Sequence, residues 1–224
     1  KMEFTPLNLE KAHPLIEYFY QFKITEDDLP FKTRILPVGT ANIAYNFCEE
    51  DILFTHKSNK IYYNKLTLMG QFFGSYQISV NKPNYTIGFD LKPTSLYKIL
   101  NKDVSSITNK QTLLKDFHFE LYKKLKSFKR VCLFVSLTLS NDKNIPQIER
   151  ALAIIIEKQG IIKVKELLLE VPFSQKSLEL QFKKIVGLTP GKYIRQFRFM
   201  NLMRKYISKE IKITDFVDTF NYYD

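Results

Sequence analysis

The order of apolar and polar positions divides the chain into a β-type part and a helical part. An alternation of period two runs through Ala41–Phe47, Tyr63–Met69, Tyr76–Val80 and Tyr85–Leu91, and prolines and glycines separate these segments. Such alternation predicts strands, and the prolines and glycines predict turns. We therefore expect roughly the first ninety residues to form a β-rich domain.

After Pro93, apolar residues recur every three or four positions, which is the spacing of helices. We expect Thr94 to cap a short helix over Ser95–Leu100. An amphipathic helix is expected over Leu113–Phe128, and a more apolar helix, buried or facing a partner, over Arg130–Ser140. These last two helices carry more apolar surface than a linker needs, so they are expected to cover the β-rich domain. A homodimer contact through them stays open.

A polar run at 141–144 precedes a wholly helical part. A helix begins near Pro146 and stops at Gly160, and further helices are expected over Val164–Val171, Ser174–Val186, Pro190–Ser208 and Ile213–Phe220. The predicted fold class is α+β. Its parts are a β-rich sensing or dimerisation domain over residues 1–112, connecting helices over 113–143 and an all-α domain over 144–224.

Residues 164–186 have the pattern of a helix-turn-helix. A short helix ends near Val171, a tight turn follows, and the Ser174 hydroxyl is placed to accept a free backbone N–H of the next helix. That helix has a core-facing arc of Leu178, Phe182, Ile185 and Val186 and an opposite arc of Lys176, Leu180, Lys183 and Gly187, with Glu179 on its flank. A helix of this kind suits the major groove, although a generic helical hairpin shows the same spacing.

Residues 146–224 resemble the DNA-binding domain of AraC/XylS-type transcription regulators. The match runs in order through Ser174, Leu178, Phe182, Gly187–Pro190, Tyr193, Arg198, Ile213–Val217 and Asn221–Asp224. In its Gly-x-Thr-Pro-x-x-Tyr run, Gly187 ends the recognition helix, Thr189 caps the next helix and Pro190 takes its first position. The resemblance implies two helix-turn-helix units joined by the long helix that begins at Pro190.

The resemblance also implies which residues contact DNA. The candidate set is Gln175, Lys176, Ser177, Glu179, Leu180, Lys183, Lys184 and Arg195. Lys176 and Glu179 match family positions that touch bases, and Lys183 is expected to meet phosphate.

Three departures from the family pattern bear on this reading. Leu180 stands where the family often has arginine, which removes a contact and suits a thymine methyl instead. Asn221 replaces a usual glycine, and asparagine tolerates the left-handed turn. The sequence stops at Asp224, which would cap the second recognition helix, so the second unit is expected to be truncated.

The N-terminal part resembles an uncharacterised β-rich domain that precedes this DNA-binding domain in a subset of the family. The residues that carry the resemblance are Arg34–Pro37 with Gly39, the strand Asn42–Phe47, and Ile87–Pro93. This resemblance implies no ligand, and the ligand pocket is unknown. For the aromatic residues Tyr18, Phe19, Tyr20 and Phe22, a core or interface role is favoured over a ligand cage. For Tyr45, Tyr63 and Phe89, core filling is favoured over lining a pocket of the β-rich domain.

Charge and composition narrow the class of partner. The formal net charge is +11, and the stretch 181–212 holds one acidic residue, Glu210, among many lysines and arginines. A local basic excess on a helix-turn-helix favours double-stranded DNA.

No apolar run approaches the length of a membrane span, and the start of the sequence shows no secretion signal. Cys48 and Cys132 are expected to be reduced thiols in a cytoplasmic protein.

Signals for catalysis or cofactors are lacking. His13, His56 and His118 share no metal-ligand spacing, Glu49–Asp51 reads as a surface turn, and no phosphate- or dinucleotide-binding motif occurs. We therefore expect neither enzyme activity nor a metal or cofactor. The leading hypothesis is a sequence-specific transcription regulator, with a small-molecule effector left open. The alternative is a ligand-binding or protein-interaction module whose DNA-binding domain is degenerate.

Overall fold

The computed structural model describes residues 3–7, 13–47, 52–56, 59–63, 65–118, 120, 122–123 and 139–212. Within them, ten strands form the N-terminal part: β1 Glu3–Leu7, β2 Ile16–Ile24, β3 Phe31–Ile35, β4 Ala41–Phe47, β5 Ile52–His56, β6 Asn59–Tyr63, β7 Lys65–Met69, β8 Tyr76–Val80, β9 Asn84–Leu91 and β10 Gln111–Leu113.

The strands pair into two antiparallel sheets. Sheet A has the order β1-β2-β9-β4-β7-β10, and sheet B has the order β3-β8-β5-β6. In the centre of sheet A, Phe19 of β2 pairs with Phe89 of β9, and Ile43 of β4 lies opposite Phe89 on the other side. Side chains alternate between the two faces of a sheet, so residues two positions apart share a face.

The helices within the described residues are α1 Ser95–Leu100, α2 Leu114–Phe117, α3 Ile145–Glu157, α4 Val164–Leu167, α5 Gln175–Val186 and α6 Pro190–Ile207. A 3₁₀ turn over Val104–Ile107 precedes β10. A β-rich part is thus followed by a helical part, and the fold class is α+β.

One face of sheet A is apolar and packs against the helices. Phe19, Ile43 and Phe89 lie on this face, and the last two are buried. They belong to a contiguous core cluster that also contains Leu96 of α1 and Phe182 of α5. The strands of sheet A and the described helices therefore share one hydrophobic core, whereas the division at residues 112 and 143 stays a prediction.

The predicted N-cap residues occupy the N-cap positions, but only one of them makes the capping hydrogen bond. Ser174 is the N-cap of α5, and its hydroxyl accepts the Ser177 N–H at 3.2 Å. Thr189 and Thr94 occupy the N-cap positions of α6 and α1, but neither side chain makes a capping hydrogen bond. The Thr94 hydroxyl instead donates to Glu149 on α3, at 2.8 Å.

Several predicted boundaries differ from the structure. The predicted helix Val164–Val171 ends at Leu167 and continues as a turn. The predicted helix Leu113–Phe128 starts at Leu114, because Leu113 pairs with β7 as part of β10. Most of that helix, nearly all of Arg130–Ser140 and the whole of Ile213–Phe220 lie outside the described residues.

The shared core leads to a stability prediction for Phe182→Ala. The Phe182 ring is fully buried and lies 5.6 Å from the Tyr193 ring, centroid to centroid. Its removal leaves a cavity and should lower the free energy of unfolding by about 3–5 kcal/mol. Leu169 is 85% exposed, so Leu169→Ala should stay within about 0.5 kcal/mol of the parent. Urea denaturation of both variants checks this, and equal midpoints would contradict it.

Candidate functional site

The helix-turn-helix is formed by α4 and α5. Leu178, Phe182 and Ile185 are each 0% exposed, and they fix α5 against α1, α3, α6 and the 3₁₀ turn. Burial of this arc leaves the opposite arc of α5 facing solvent.

The exposed arc contains most of the candidate DNA-contacting residues. Gln175, Lys176, Glu179 and Lys183 are exposed, and Ser177 is half-buried. Leu180 is 62% exposed. The Gln175 amide donates to the Glu179 carboxylate at 3.1 Å, which holds that carboxylate on the surface of the helix. The arc thus presents two ammonium groups, one carboxylate and one apolar side chain.

Lys184 lies on a different side of α5 from its neighbour Lys183. Its ammonium donates to Asp142 at 3.0 Å and lies 5.2 Å from the centre of the Tyr97 ring on α1. The Tyr97 hydroxyl donates to the same carboxylate oxygen, at 2.7 Å. The backbone N–H of Asn144 and these two groups hold the pKa of the Asp142 carboxyl well below its ordinary value.

Arg195 also approaches the N-terminal part. Its guanidinium lies 5.5 Å from the centre of the Phe73 ring, and the Lys192 ammonium lies 5.6 Å from the same ring. Both distances allow cation–π attraction. The structure therefore groups six of the eight candidate residues on one arc and places Lys184 and Arg195 beside aromatic rings of the β-rich part.

Loops of the β-rich part cover the C-terminal end of α5. Gly187 ends the helix at a φ of +95°, which other residues rarely adopt, and its Cα lies against the side chains of Gln71 and Thr108. The Thr108 hydroxyl donates to the Gly187 carbonyl. Gly187, which the sequence put on the outer arc, is therefore buried against the β-rich part, because the chain turns away from the helix axis there.

A cavity of about 290 Å³ lies between the two sheets. Tyr18, Tyr20 and Phe22 line it from β2, and Tyr76 and Ile78 line it from β8. The interior of the sandwich is therefore only partly filled, and its aromatic lining comes from strands of both sheets.

Sheet A turns several polar side chains to this cavity. By strand register, Tyr18, Asp90, Asn42, Met69 and Gln111 form one row across five strands, and all five line the cavity. A second polar group lies further along, where the Asn84 amide donates to Thr86 at 2.9 Å and Thr86 donates to Asn46 at 2.7 Å. Buried polar side chains of this kind are rare in sandwich interiors that serve only as core.

Sequence reasoning missed this cavity. Tyr18, Tyr20 and Phe22 line it, although a core or interface role was favoured for them. Phe89 packs in the core on the opposite face of sheet A, as expected. The side chain of Tyr63 lies outside the described residues. The signal for the cavity is the set of polar residues in phase on β4 and β9, which alternation alone reads as solvent-facing.

A family model described as a domain of unknown function, DUF6597, matches residues 10–113. No curated protein matches the sequence. The match covers most of the β-rich part and does not extend into the helices that follow.

Three solved structures share features with the chain. An apo ToxT variant from Vibrio cholerae is 8% identical with a TM-score of 0.49, covering 96% of this chain and 91% of that chain. A Vibrio cholerae HTH_3 family transcriptional regulator is 11% identical with a TM-score of 0.31, covering 41% and 51%. The AraC-like transcriptional activator CuxR is 11% identical with a TM-score of 0.26, covering 84% and 74%. With TM-scores below 0.5, these likenesses decide nothing about function.

Two negative findings apply to the part of the chain that the structure describes. None of its helices has the length and apolar content needed to cross a membrane. No three histidine, cysteine, aspartate or glutamate side chains come together there as a metal-binding group.

The two adjacent lysines give opposite predictions. Lys184→Met should lower the free energy of unfolding by about 1 kcal/mol, because it breaks a pair that solvent partly screens. It should leave the salt dependence of DNA binding unchanged. Lys183→Met, at an exposed position, should flatten that salt dependence and leave stability unchanged. Urea denaturation and binding titrations at several salt concentrations measure both, and a flattened salt dependence for Lys184→Met would contradict the placement.

The lowered pKa of Asp142 gives a pH dependence. A carboxyl with a depressed folded-state pKa stabilises the protein above its unfolded pKa of about 3.9 and loses this effect as pH falls towards the folded value. Asp142→Asn should therefore be less stable than the parent at pH 7, and the difference should shrink below about pH 4. Urea midpoints of both proteins at pH 7 and pH 3 test this, and a constant difference would contradict it.

Proposed function

We propose that the chain is a sequence-specific DNA-binding transcription regulator of AraC type, in which the β-rich part binds an effector. The observation that carries the DNA-binding role is the exposed arc of α5, with Lys176, Glu179, Leu180 and Lys183 on a helix whose opposite arc is fully buried. Helices held in this way insert into the major groove. The local basic excess supports a nucleic-acid partner.

Base readout is assigned to the first turns of α5. The ammonium of Lys176 donates to guanine O6 and N7, the Glu179 carboxylate accepts from cytosine N4, and Leu180 contacts a thymine methyl. Lys183, one turn further along, meets a phosphate. Neutralised phosphates release counterions, so this contact contributes to the salt dependence and carries no sequence information.

The effector role rests on how short the path is from the cavity to α5. Val38 and Met69 line the cavity. The next residue after Val38, Gly39, accepts a hydrogen bond from the Gln71 amide at 2.9 Å. Gln71 in turn packs beside Gly187 at the end of the recognition helix. A ligand that moves the cavity wall would therefore act on loops that contact α5 directly.

Single lysine substitutions test the DNA-binding role. Lys176→Ala should cost about 1–3 kcal/mol at the correct site and relax the sequence preference, because a base contact is lost. Lys183→Ala should weaken binding to all sequences alike and reduce the salt slope by about one unit. Lys32→Ala, at an exposed position on β3, is the matched control and should change neither property.

The operator for these titrations is selected from a random DNA library with the unmodified protein, and a scrambled duplex serves as the reference. If Lys176→Ala and Lys183→Ala both bind with the affinity of the parent, α5 does not read DNA. The alternative function, a ligand-binding module with a degenerate DNA-binding domain, would then be favoured. The exposed Leu180 in the middle of the reading arc is the observation that supports this alternative.

A further inference from the structure

In the part of the chain that the structure describes, the cavity holds a buried acid without a basic partner. Asp90 is 6% exposed. Its carboxylate accepts hydrogen bonds from the Asn42 amide at 2.6 Å and the Thr40 hydroxyl at 3.1 Å, both of which are neutral. Among the described residues, no lysine, arginine or histidine lines the cavity. For a buried carboxyl held by neutral donors alone, nothing balances the charge of the ionised form, so ionisation is costly in a protein interior.

The electrostatics of Asp90 agree with this geometry. Burial raises the pKa of its carboxyl, the hydrogen bonds from Tyr18, Asn42 and Thr40 lower it, and the charge of Glu17 raises it further. A positive charge placed beside the carboxyl would favour the ionised form. A negative charge in the same space would be repelled.

Aromatic side chains surround the same space. Tyr18 pairs directly with Asp90 across the strands, and Tyr20, Phe22 and Tyr76 also line the cavity. Aromatic faces attract cations, and they do so more strongly when the cation is desolvated. The Asp90 carboxylate and the aromatic rings therefore both favour a positively charged ligand.

A second acceptor lies further along β9. Asn84 is 3% exposed, and its side-chain oxygen has no hydrogen-bond partner among the residues that the structure describes. Its amide nitrogen is already used by Thr86. Buried side-chain oxygens normally accept a hydrogen bond, so this wall of the cavity calls for a donor from a ligand or from water.

We propose that the cavity binds a small organic cation, a protonated amine with an apolar body, whose ammonium group pairs with Asp90 among the tyrosine rings. The cavity volume of about 290 Å³ corresponds to about ten water molecules of liquid, so an amine of about ten non-hydrogen atoms fits. The further statement that this amine is the effector rests on the proposed regulatory function. The binding itself does not.

Two matched sets of probes test the charge preference on the full chain. The first set is tyramine, 2-(4-hydroxyphenyl)ethanol and 4-hydroxyphenylacetate, and the second is hexylamine, 1-hexanol and hexanoate. Each set keeps one skeleton and changes the charge from positive to neutral to negative. Isothermal titration calorimetry at pH 7 should show the better amine binding about tenfold or more tighter than its neutral and acidic counterparts.

Asp90→Asn removes the charge and keeps the shape. The amine should then bind no better than its neutral counterpart. Asp116→Asn makes the same charge change at an exposed position outside the cavity and should leave the amine preference intact. Circular dichroism checks that Asp90→Asn is folded. If it is not, the ranking of the probes on the parent protein still decides.

Three results would overturn the inference: neither amine binds, a carboxylate binds as tightly as its amine, or Asp90→Asn keeps the amine preference. DNA titrations without ligand separate this inference from the proposed function. A protein that reads DNA but binds no amine loses only the ligand assignment. A protein that binds an amine at Asp90 but reads no DNA keeps the binding site and loses the regulatory role.

Discussion

The apolar face of sheet A is the constraint on which the rest of the structure depends. A sheet face that carries Ile43, Leu68 and Phe89, all buried here, cannot be left to water. The chain covers it with α1, and the helical part completes the same core with Phe182. Helix α5 is therefore positioned by the sheet as well as by α4, the other helix of the helix-turn-helix. Its orientation is a property of the whole chain.

This arrangement frees the other face of sheet A from core packing. Among the described residues, the inner core of the sandwich is small and consists of Phe54, Phe72 and Tyr76 with a few partly buried neighbours. Next to it, sheet A presents Asn42, Asp90 and the other polar side chains that line the cavity. Because stability comes mainly from the opposite face, the inner face can hold polar groups that an ordinary sandwich core would exclude.

Sequence patterns over a few residues predicted the strands and helix ends, which depend mainly on local interactions. The alternation of Ala41–Phe47 matches β4, and Ser174 and Gly187 mark the ends of α5 as expected. The helix faces of the candidate site could be predicted, since each step along a helix turns a side chain by about 100°. The partners of these side chains could not. Helical spacing places Lys183 but not Lys184 on the outer arc, yet it does not show that Lys184 pairs with Asp142. That pairing depends on a contact between distant parts of the chain.

The cavity also could not be predicted from local patterns. In phase on β9, Asn84, Thr86 and Asp90 have the pattern of a strand whose polar side faces water. Only the pairing of β3, β8 and β5 into a second sheet covers that side. Gly88 contributes as well, because the Tyr20 ring occupies the space that a side chain would need there. The ring and its hydroxyl, hydrogen-bonded to Asn42, thus stay inside the sandwich. A polar interior built in this way costs stability that apolar side chains would supply. The cavity lies beside the loops that contact Gly187, which is the arrangement that the proposed effector role requires.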